Sequence, residues 1–232
     1  MRTLIVTRCD DSIAEMCELT HPRIEAYAAK VGASFHRLTH TVDDANGDGR
    51  WHYRIMALRD LLQDYDRILH VDSDILIGAD APNIFEVVPF ECVGSIFEDK
   101  GSRKDARIRH MQAARDRYGE SGWTEGYINT GFFLASRPHI EIFERIRDQW
   151  FDGLGHDDVH LGWQIAKHGL PVHELPSVWN HMTMHSEAWN GYASRFSAHC
   201  LHYAGKGIFD VVHKTKLEQM EADDLELKSR GK

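Results

Sequence analysis

Short β-branched runs alternate along this chain with longer stretches of helical spacing, most clearly in its first half. Leu4 to Val6 predicts a short strand. Ile13 to Val31 repeats apolar residues three and four apart (Ile13, Met16, Cys17, Ile24, Tyr27, Ala28, Val31) and is followed by Gly32, so the spacing predicts a helix with a glycine stop. Ser34 to Leu38 predicts a second strand, and the Asp, Asn and Gly content of Asp43 to Gly49 predicts a loop. Tyr53 to Leu62 carries Ile55, Leu58, Leu61 and Leu62 on one helical face. It leads into Arg67 to Ile77, a nearly continuous apolar run of the kind found in strands covered on both faces. This order of strands and helices implies an α/β fold of doubly wound type, with a mostly parallel central sheet flanked by helices.

The second half is less regular. Asp99 to Gly126 is polar and basic, with Lys100, Arg103, Lys104, Arg107, Arg109, Arg115 and Arg117. Mixed charge of this kind reads first as an exposed helix face, and second as a lid or anion-binding rim. Tyr127 to Leu134 returns to strand character, and Ile140 to Trp150 predicts an amphipathic helix. From Gly153 onward histidines, glycines and tryptophans crowd loop-like sequence, and Lys214 to Lys232 reads as a charged helix or tail.

Composition narrows the function. With 232 residues and 42% hydrophobic content, the chain can bury one sizeable core, and one globular domain is expected. A net charge of -9 argues against a general nucleic-acid binder, whose footprint would be basic. The start of the sequence enters a strand with too short an apolar run for a signal peptide, and no later run reaches the length of a membrane span. The expectation is a soluble, cytosolic protein without a transmembrane segment. Cys9, Cys17, Cys92 and Cys200 show neither C-x-x-C spacing nor disulfide density and are expected to be reduced thiols.

Two carboxylates interrupt the apolar run, at Asp72 and Asp74. A buried strand cannot hold two ionised carboxylates without a partner, and a hard divalent cation such as Mn2+ or Mg2+ is one solution. Asp-Ser-Asp is also good turn chemistry, so metal site and turn both stand on this segment alone. Leu201-His202-Tyr203-Ala204-Gly205-Lys206-Gly207 adds an imidazole, a glycine backbone and a cation in one short segment. That combination suits a metal-diphosphate, although His202 is one histidine among 16.

Tyr53-Arg54, the run from Tyr65 to Asp74, Ile128-Asn129-Thr130-Gly131-Phe132, His156-Asp157-Asp158, Leu175 to Asn180 and His202 to Lys206 together resemble the GT-A glycosyltransferases. The likeness is greatest to glycosyltransferase family eight and its relatives, which include glycogenin and lipopolysaccharide galactosyltransferases. The resemblance implies a Rossmann-like nucleotide-diphospho-sugar transferase spanning residues 1–232. Residues 1–135 would form the nucleotide-binding half, 136–212 the acceptor side, and 213–232 a charged helix or tail. It implies Mn2+ or Mg2+ held by Asp72, Asp74 and His202, and donor contacts from Thr7, Arg8, Cys9, Asp10, Arg54, Asp72, Ser73, Asn129, Thr130, Gly205 and Lys206. Asp157 or Asp158 would stand beside the reacting centre. The implied donor is a UDP-sugar or, second, a GDP-sugar, giving up a hexose or pentose to a glycan or lipid-linked saccharide with retention. The family commonly places its lysine two residues further along, before Pro-Trp, and often reads Asp-Gln-Asp where this chain has His156-Asp157-Asp158.

Two other readings compete. A D-x-D after a strand also opens haloacid-dehalogenase-type phosphohydrolases, although Ile75 stands where Thr or Val usually follows. A non-catalytic nucleotide-sugar or glycan-binding module would use the same shape, with Trp163, Trp179, Trp189, Tyr192 and Phe196 as stacking surface. The His181/His185 pair lacks the glutamate of H-E-x-x-H and is assigned to structure or to lining of an acceptor pocket.

Overall fold

The computed structural model describes residues 1–39, 50–210 and 212–232; the expected loop from Asp43 to Gly49 lies outside the described residues. Strand β1 (Thr3–Arg8) is followed by a 3-10 turn at Asp11–Ile13 and by helix α1 (Ala14–Val31). Helix α1 ends at Gly32, whose φ of 69° suits a residue without a Cβ. Strand β2 (Ser34–Leu38) comes next. The expected Tyr53–Leu62 helix begins as a 3-10 helix over Arg50–Ala57 and becomes α-helical only in α2 (Leu58–Asp64). Strands β3 (Arg67–Val71) and β4 (Ile75–Ile77), helix α3 (Ile84–Val87), strand β5 (Val93–Ser95), helix α4 (Lys104–Tyr118) and strand β6 (Phe132–Ser136) follow. The chain closes with α5 (His156–Lys167), β7 (Val172–Glu174), β8 (Cys200–His202) and α6 (Lys216–Ser229).

Six strands form the central sheet in the order β2-β1-β3-β6-β5-β7. All pairings are parallel except the two made by β6, so the expectation of a mostly parallel sheet is met. Side chains alternate across it with period two. Ile5, Leu69, Val71 and Leu134 pack on one face; Leu4, Val6, Ile68, Phe133 and Ala135 pack on the other. Burying each of the larger of these side chains stabilises the fold by roughly 1.5–3 kcal/mol, so the two clusters hold the sheet rigid behind whatever sits at its strand ends.

Four expectations need correction. The loop-like sequence from Gly153 onward contains helix α5, which buries Val159, Leu161 and Ile165. The run from Arg67 to Ile77 is two strands, not one: β4 leaves the central sheet and pairs antiparallel with β8 in a second sheet. The strand expected from Tyr127 is regular only from Phe132, because Gly126 to Thr130 is tied by side chains, among them Asp99, whose carboxylate accepts from Gly126 N and Tyr127 N at 2.9 Å. The helix expected over Ile140 to Trp150 is absent; a 3-10 helix at Arg137–Phe143 gives way to extended chain at Glu144. The carbonyl of Glu144, which an α-helix would need, accepts instead from His160 Nε2 at 2.8 Å and Gln164 Nε2 at 2.9 Å. Arg147 and Asp148 then turn the chain with φ of 51° and 63°, values no right-handed helix contains.

Helix α6 is a packed element. Met220 and Leu227 are buried with Leu76, Leu201 and Tyr203, which fixes the C-terminal helix against the β4–β8 ladder. Among the described residues no helix is long and apolar enough to cross a membrane.

Candidate functional site

The two aspartates occupy the turn where the chain leaves β3 for β4. Asp72 N donates to Gly131 O at 2.7 Å, which ties the turn to the start of β6, and Tyr203 N donates to Asp74 O at 3.0 Å. In the β4–β8 ladder Ile75 faces His202. These backbone ties bring Asp72, Asp74 and His202 together, with one ligand atom from each within 4.8 Å of the others. His202 Nε2 lies 3.3 Å from Asp74 Oδ1 and 3.6 Å from Asp72 Oδ2.

A directed chain of hydrogen bonds sets the orientation of that imidazole. Arg107 Nε donates to Glu98 at 2.7 Å; Glu98 accepts from Asn129 Nδ2 at 2.7 Å; Asn129 Oδ1 accepts from Asn180 Nδ2 at 2.7 Å. Asn180 therefore presents its oxygen to His202 Nδ1, 2.8 Å away, and Nδ1 is the donor. Nε2 is left facing the two carboxylates, as in metal-binding histidines whose other nitrogen is held by a hydrogen bond. Packing leaves no slack: a Cβ on Gly131 would meet His202 Cε1 at 2.4 Å, Asp72 Oδ2 at 2.8 Å and Asn129 Oδ1 at 2.9 Å.

Electrostatics agree with a cation site. Desolvation and the neighbouring Asp74 charge raise the Asp72 carboxyl. Burial pushes Asp74 up as well, but His202 and Lys216 outweigh it and hold Asp74 below the usual carboxylate range. Burial disfavours a charged His202, yet Asp74 and then Asp72 raise it. Asp72 is thus the less compensated of the two carboxylates, and two oxygen donors with one oriented imidazole suit Mn2+ or Mg2+.

The cluster forms the floor of a cleft of about 540 Å3, and the start of α5 is its opposite wall. Thr130 Oγ1 lies 2.7 Å from Asp157 Oδ2 and 2.8 Å from Asp158 Oδ1, and Thr130 N donates to Asp158 Oδ1 at 2.8 Å. A hydroxyl has one hydrogen, so the second contact requires a proton on one of the carboxyls. Burial, then the charges of Asp157 and Glu98, raise Asp158 well above its ordinary value, which puts the proton there. Asp157 Oδ1 is 3.4 Å from Nδ1 of His52, whose ring stacks on His156 with centroids 4.5 Å apart.

The expected donor residues are distributed unevenly. Arg8, Arg54, Ser73, Asn129, Thr130 and Gly205 line the cleft together with the metal cluster. Asp10 lies beneath it as an anchor: its Oδ2 accepts from Arg8 Nε and pairs with Arg54 Nη1, both at 2.9 Å. Thr7 is buried and lies 3.4 Å from Ser73 Oγ, where it supports the turn. Cys9 is outside the lining, gathered with Cys17 and His21; burial pushes the Cys17 thiol up to about 12. Lys206 is exposed and also outside the lining.

Sequence reasoning missed Glu98, His52 and Lys216, and gave Asn180 no role beyond its place in the Leu175 to Asn180 likeness. Glu98 had a usable signal, since it follows the short run Val93 to Phe97, apolar but for Ser95, much as Asp72 follows β3. Lys216, one of many charges in its segment, had none; it sits at the start of α6, and its Nζ donates to Asp74 Oδ2 at 2.8 Å. Of the basic stretch, Arg103 and Arg107 line the cleft, whereas Lys104 and Arg109 are exposed.

No protein-family model and no curated protein sequence matches the chain. Solved structures match it in shape. The galactosyltransferase LgtC in complex with donor and acceptor sugar analogues is 16% identical at a TM-score of 0.61, over 98% of this chain and 95% of that one. A glycosyltransferase involved in glycosylation of the major capsid of PBCV-1 is 13% identical at a TM-score of 0.61, over 97% and 100%. Mouse xyloside xylosyltransferase 1 is 13% identical at a TM-score of 0.53, over 90% and 99%. The chain has the GT-A fold of these glycosyltransferases.

Proposed function

We propose that this protein is a metal-dependent glycosyltransferase that moves a hexose or pentose from a nucleotide-diphosphate sugar, a UDP-sugar in first place and a GDP-sugar in second, to a hydroxyl of a glycan or lipid-linked saccharide, with retention. The observation that carries the reading is the oriented Nε2 of His202 facing Asp72 and Asp74 at the floor of a polar cleft. Donor and acceptor analogues bound to LgtC, whose fold this chain shares, support the substrate class. A phosphohydrolase is disfavoured on this fold, with the aspartates after the third strand and a late histidine brought to them. A cytosolic setting is part of the same proposal.

Asp72, Asp74 and His202 would hold the divalent ion, which when bound neutralises the diphosphate leaving group as a Lewis acid. The chain's own residues do the rest. Arg8, Arg54 and Ser73 bind the nucleotide end of the cleft, with Asp10 fixing both guanidinium groups. Asn129, Thr130 and Gly205 face the sugar and diphosphate. Positive charge that develops at the anomeric carbon is met by the Asp157/Asp158 pair, held in place by Thr130 before the reaction begins.

Calorimetric titration with UDP and GDP, with and without Mn2+, tests the reading. UDP binding that needs Mn2+ and is lost in Asp74→Asn is expected; nucleotide binding that ignores both the metal and that substitution would overturn it.

A further inference from the structure

Lys216 belongs to a helix otherwise remote from the chemistry, yet its ammonium sits on a carboxylate of the metal cluster. Thr215 and Glu218 form a capping box at that helix start, with Thr215 Oγ1 accepting from Glu218 N at 3.2 Å and Glu218 Oε2 accepting from Thr215 N at 3.1 Å. Buried Met220 and Asp223 anchor the helix, the latter accepting from Tyr203 Oη at 2.9 Å and pairing with Arg195 at 2.9 Å. The lysine stem reaches the cleft by crossing Gly207. A Cβ there would lie 2.8 Å from Lys216 Cε and 2.5 Å from Tyr203 O, and the φ of 63° disfavours any other residue.

The other cations of the cleft are committed elsewhere. Arg8 and Arg54 are paired with Asp10, Arg107 with Glu98, and Arg103 faces Glu98 at 3.9 Å. Lys216 alone among these lining cations is paired with a carboxylate of the metal cluster, at 2.8 Å. Its partner is therefore the group that a divalent ion would claim.

We propose that Lys216 is an exchangeable counter-ion: it neutralises Asp74 while the site is metal-free, and turns to the diphosphate of the donor once a divalent ion takes over that carboxylate. The proposal rests on the transferase reading above. It assigns to α6 the cationic role that the sequence suggested for Lys206. Two consequences have opposite signs. Without nucleotide, Lys216 competes with the ion for Asp74 and repels it. With nucleotide, it adds a charge-assisted contact to the leaving group.

Lys216→Met keeps the stem and removes the charge, and Lys216→Gln repeats the test with a polar end. Mn2+ binding is read from the electron-spin signal of the free ion, and UDP binding at saturating Mn2+ by calorimetry. Both variants should bind Mn2+ more tightly than the parent, by about threefold to tenfold, and UDP more weakly, by roughly tenfold or more. Lys206→Met should change neither. Shifts of the same sign, or no shift, in variants that stay folded would overturn the role of Lys216 while leaving the transferase reading intact, provided the parent protein binds UDP with Mn2+. A parent that binds no Mn2+ removes both.

Discussion

Oδ1 of Asn180 accepts a hydrogen bond from Nδ1 of His202 at 2.8 Å, and this contact decides which edge of the imidazole faces Asp72 and Asp74. Asn180 is fully buried and its own orientation is fixed by Asn129, so the ring has no equivalent second position. Asn180→Ala should leave the fold intact at a cost of about 1–3 kcal/mol for the unpaired buried groups. Mn2+ affinity should fall roughly 10- to 100-fold, the usual effect of removing a partner that orients a ligand. Urea unfolding and an Mn2+ titration measure the two effects; unchanged Mn2+ affinity would mean that the ring is oriented by something else.

The same chain of contacts ends in an ion pair whose two halves are unequal in exposure. The Glu98 side chain is 1% exposed, while Arg107 reaches it from the edge of the cleft. Removing the guanidinium strands a buried carboxylate, so Arg107→Ala should destabilise the protein by about 3 kcal/mol or more. Arg109, two residues along the same helix and exposed, should tolerate alanine within about 0.5 kcal/mol. Equal midpoints for the two variants in chemical denaturation would show that Glu98 finds another partner.

What the sequence disclosed follows from how local the physics is. Helix α1 and strands β1 to β3 were legible because their periodicity is written in adjacent residues, and Asp72 and Asp74 stood out because carboxylates contradict an apolar run. The approach of His202 was suggested by its neighbours and by family likeness, but its geometry comes from the β4–β8 pairing, which the run Ile75 to Ile77 conceals by resuming the apolar character of β3 directly after the aspartates. The failed helix over Ile140 to Trp150 had the right apolar spacing. It lost to His160 and Gln164, which take the Glu144 carbonyl from a helix that follows later in the chain. Lys216 was invisible for the same reason, since only packing of α6 on Leu76 and Leu201 carries it to the site.

Asp10 provides a pH signature away from the metal cluster. Burial pushes its carboxyl up, but Ser12 and Arg8 together hold it down at about 2, below an ordinary 3.8. A depressed folded value means that its contribution is complete above 3.8 and is lost as pH falls through about 2. With its side chain 22% exposed, solvent screening leaves that contribution at about 1–2 kcal/mol. Asp10→Asn should remove this part of the acid sensitivity and lower stability at neutral pH by the same amount. Parallel stability–pH curves for the variant and the parent would contradict the assignment.

Asp157 and Asp158 are adjacent in sequence but should answer differently to the same substitution. Thr130 can donate its single hydroxyl hydrogen to only one of them, and the raised Asp158 carries the proton that satisfies the other contact. The charge of the pair then rests on Asp157. A carboxyl whose folded pKa lies above its unfolded value of 3.8 loses its favourable contribution as pH rises through the folded value, because ionising it in place costs desolvation. Asp158→Asn cannot ionise, so its stability should exceed that of the parent at alkaline pH and depend less on pH. Transfer should respond the other way round. Asp157→Asn removes the charge that meets the anomeric centre and should lower turnover about 100- to 1,000-fold, the scale of losing one preorganised electrostatic group, whereas Asp158→Asn should cost far less. A larger loss of turnover in Asp158→Asn than in Asp157→Asn, or a variant at position 158 that is less stable at every pH, would place the charge on Asp158 and reverse the roles of the two residues.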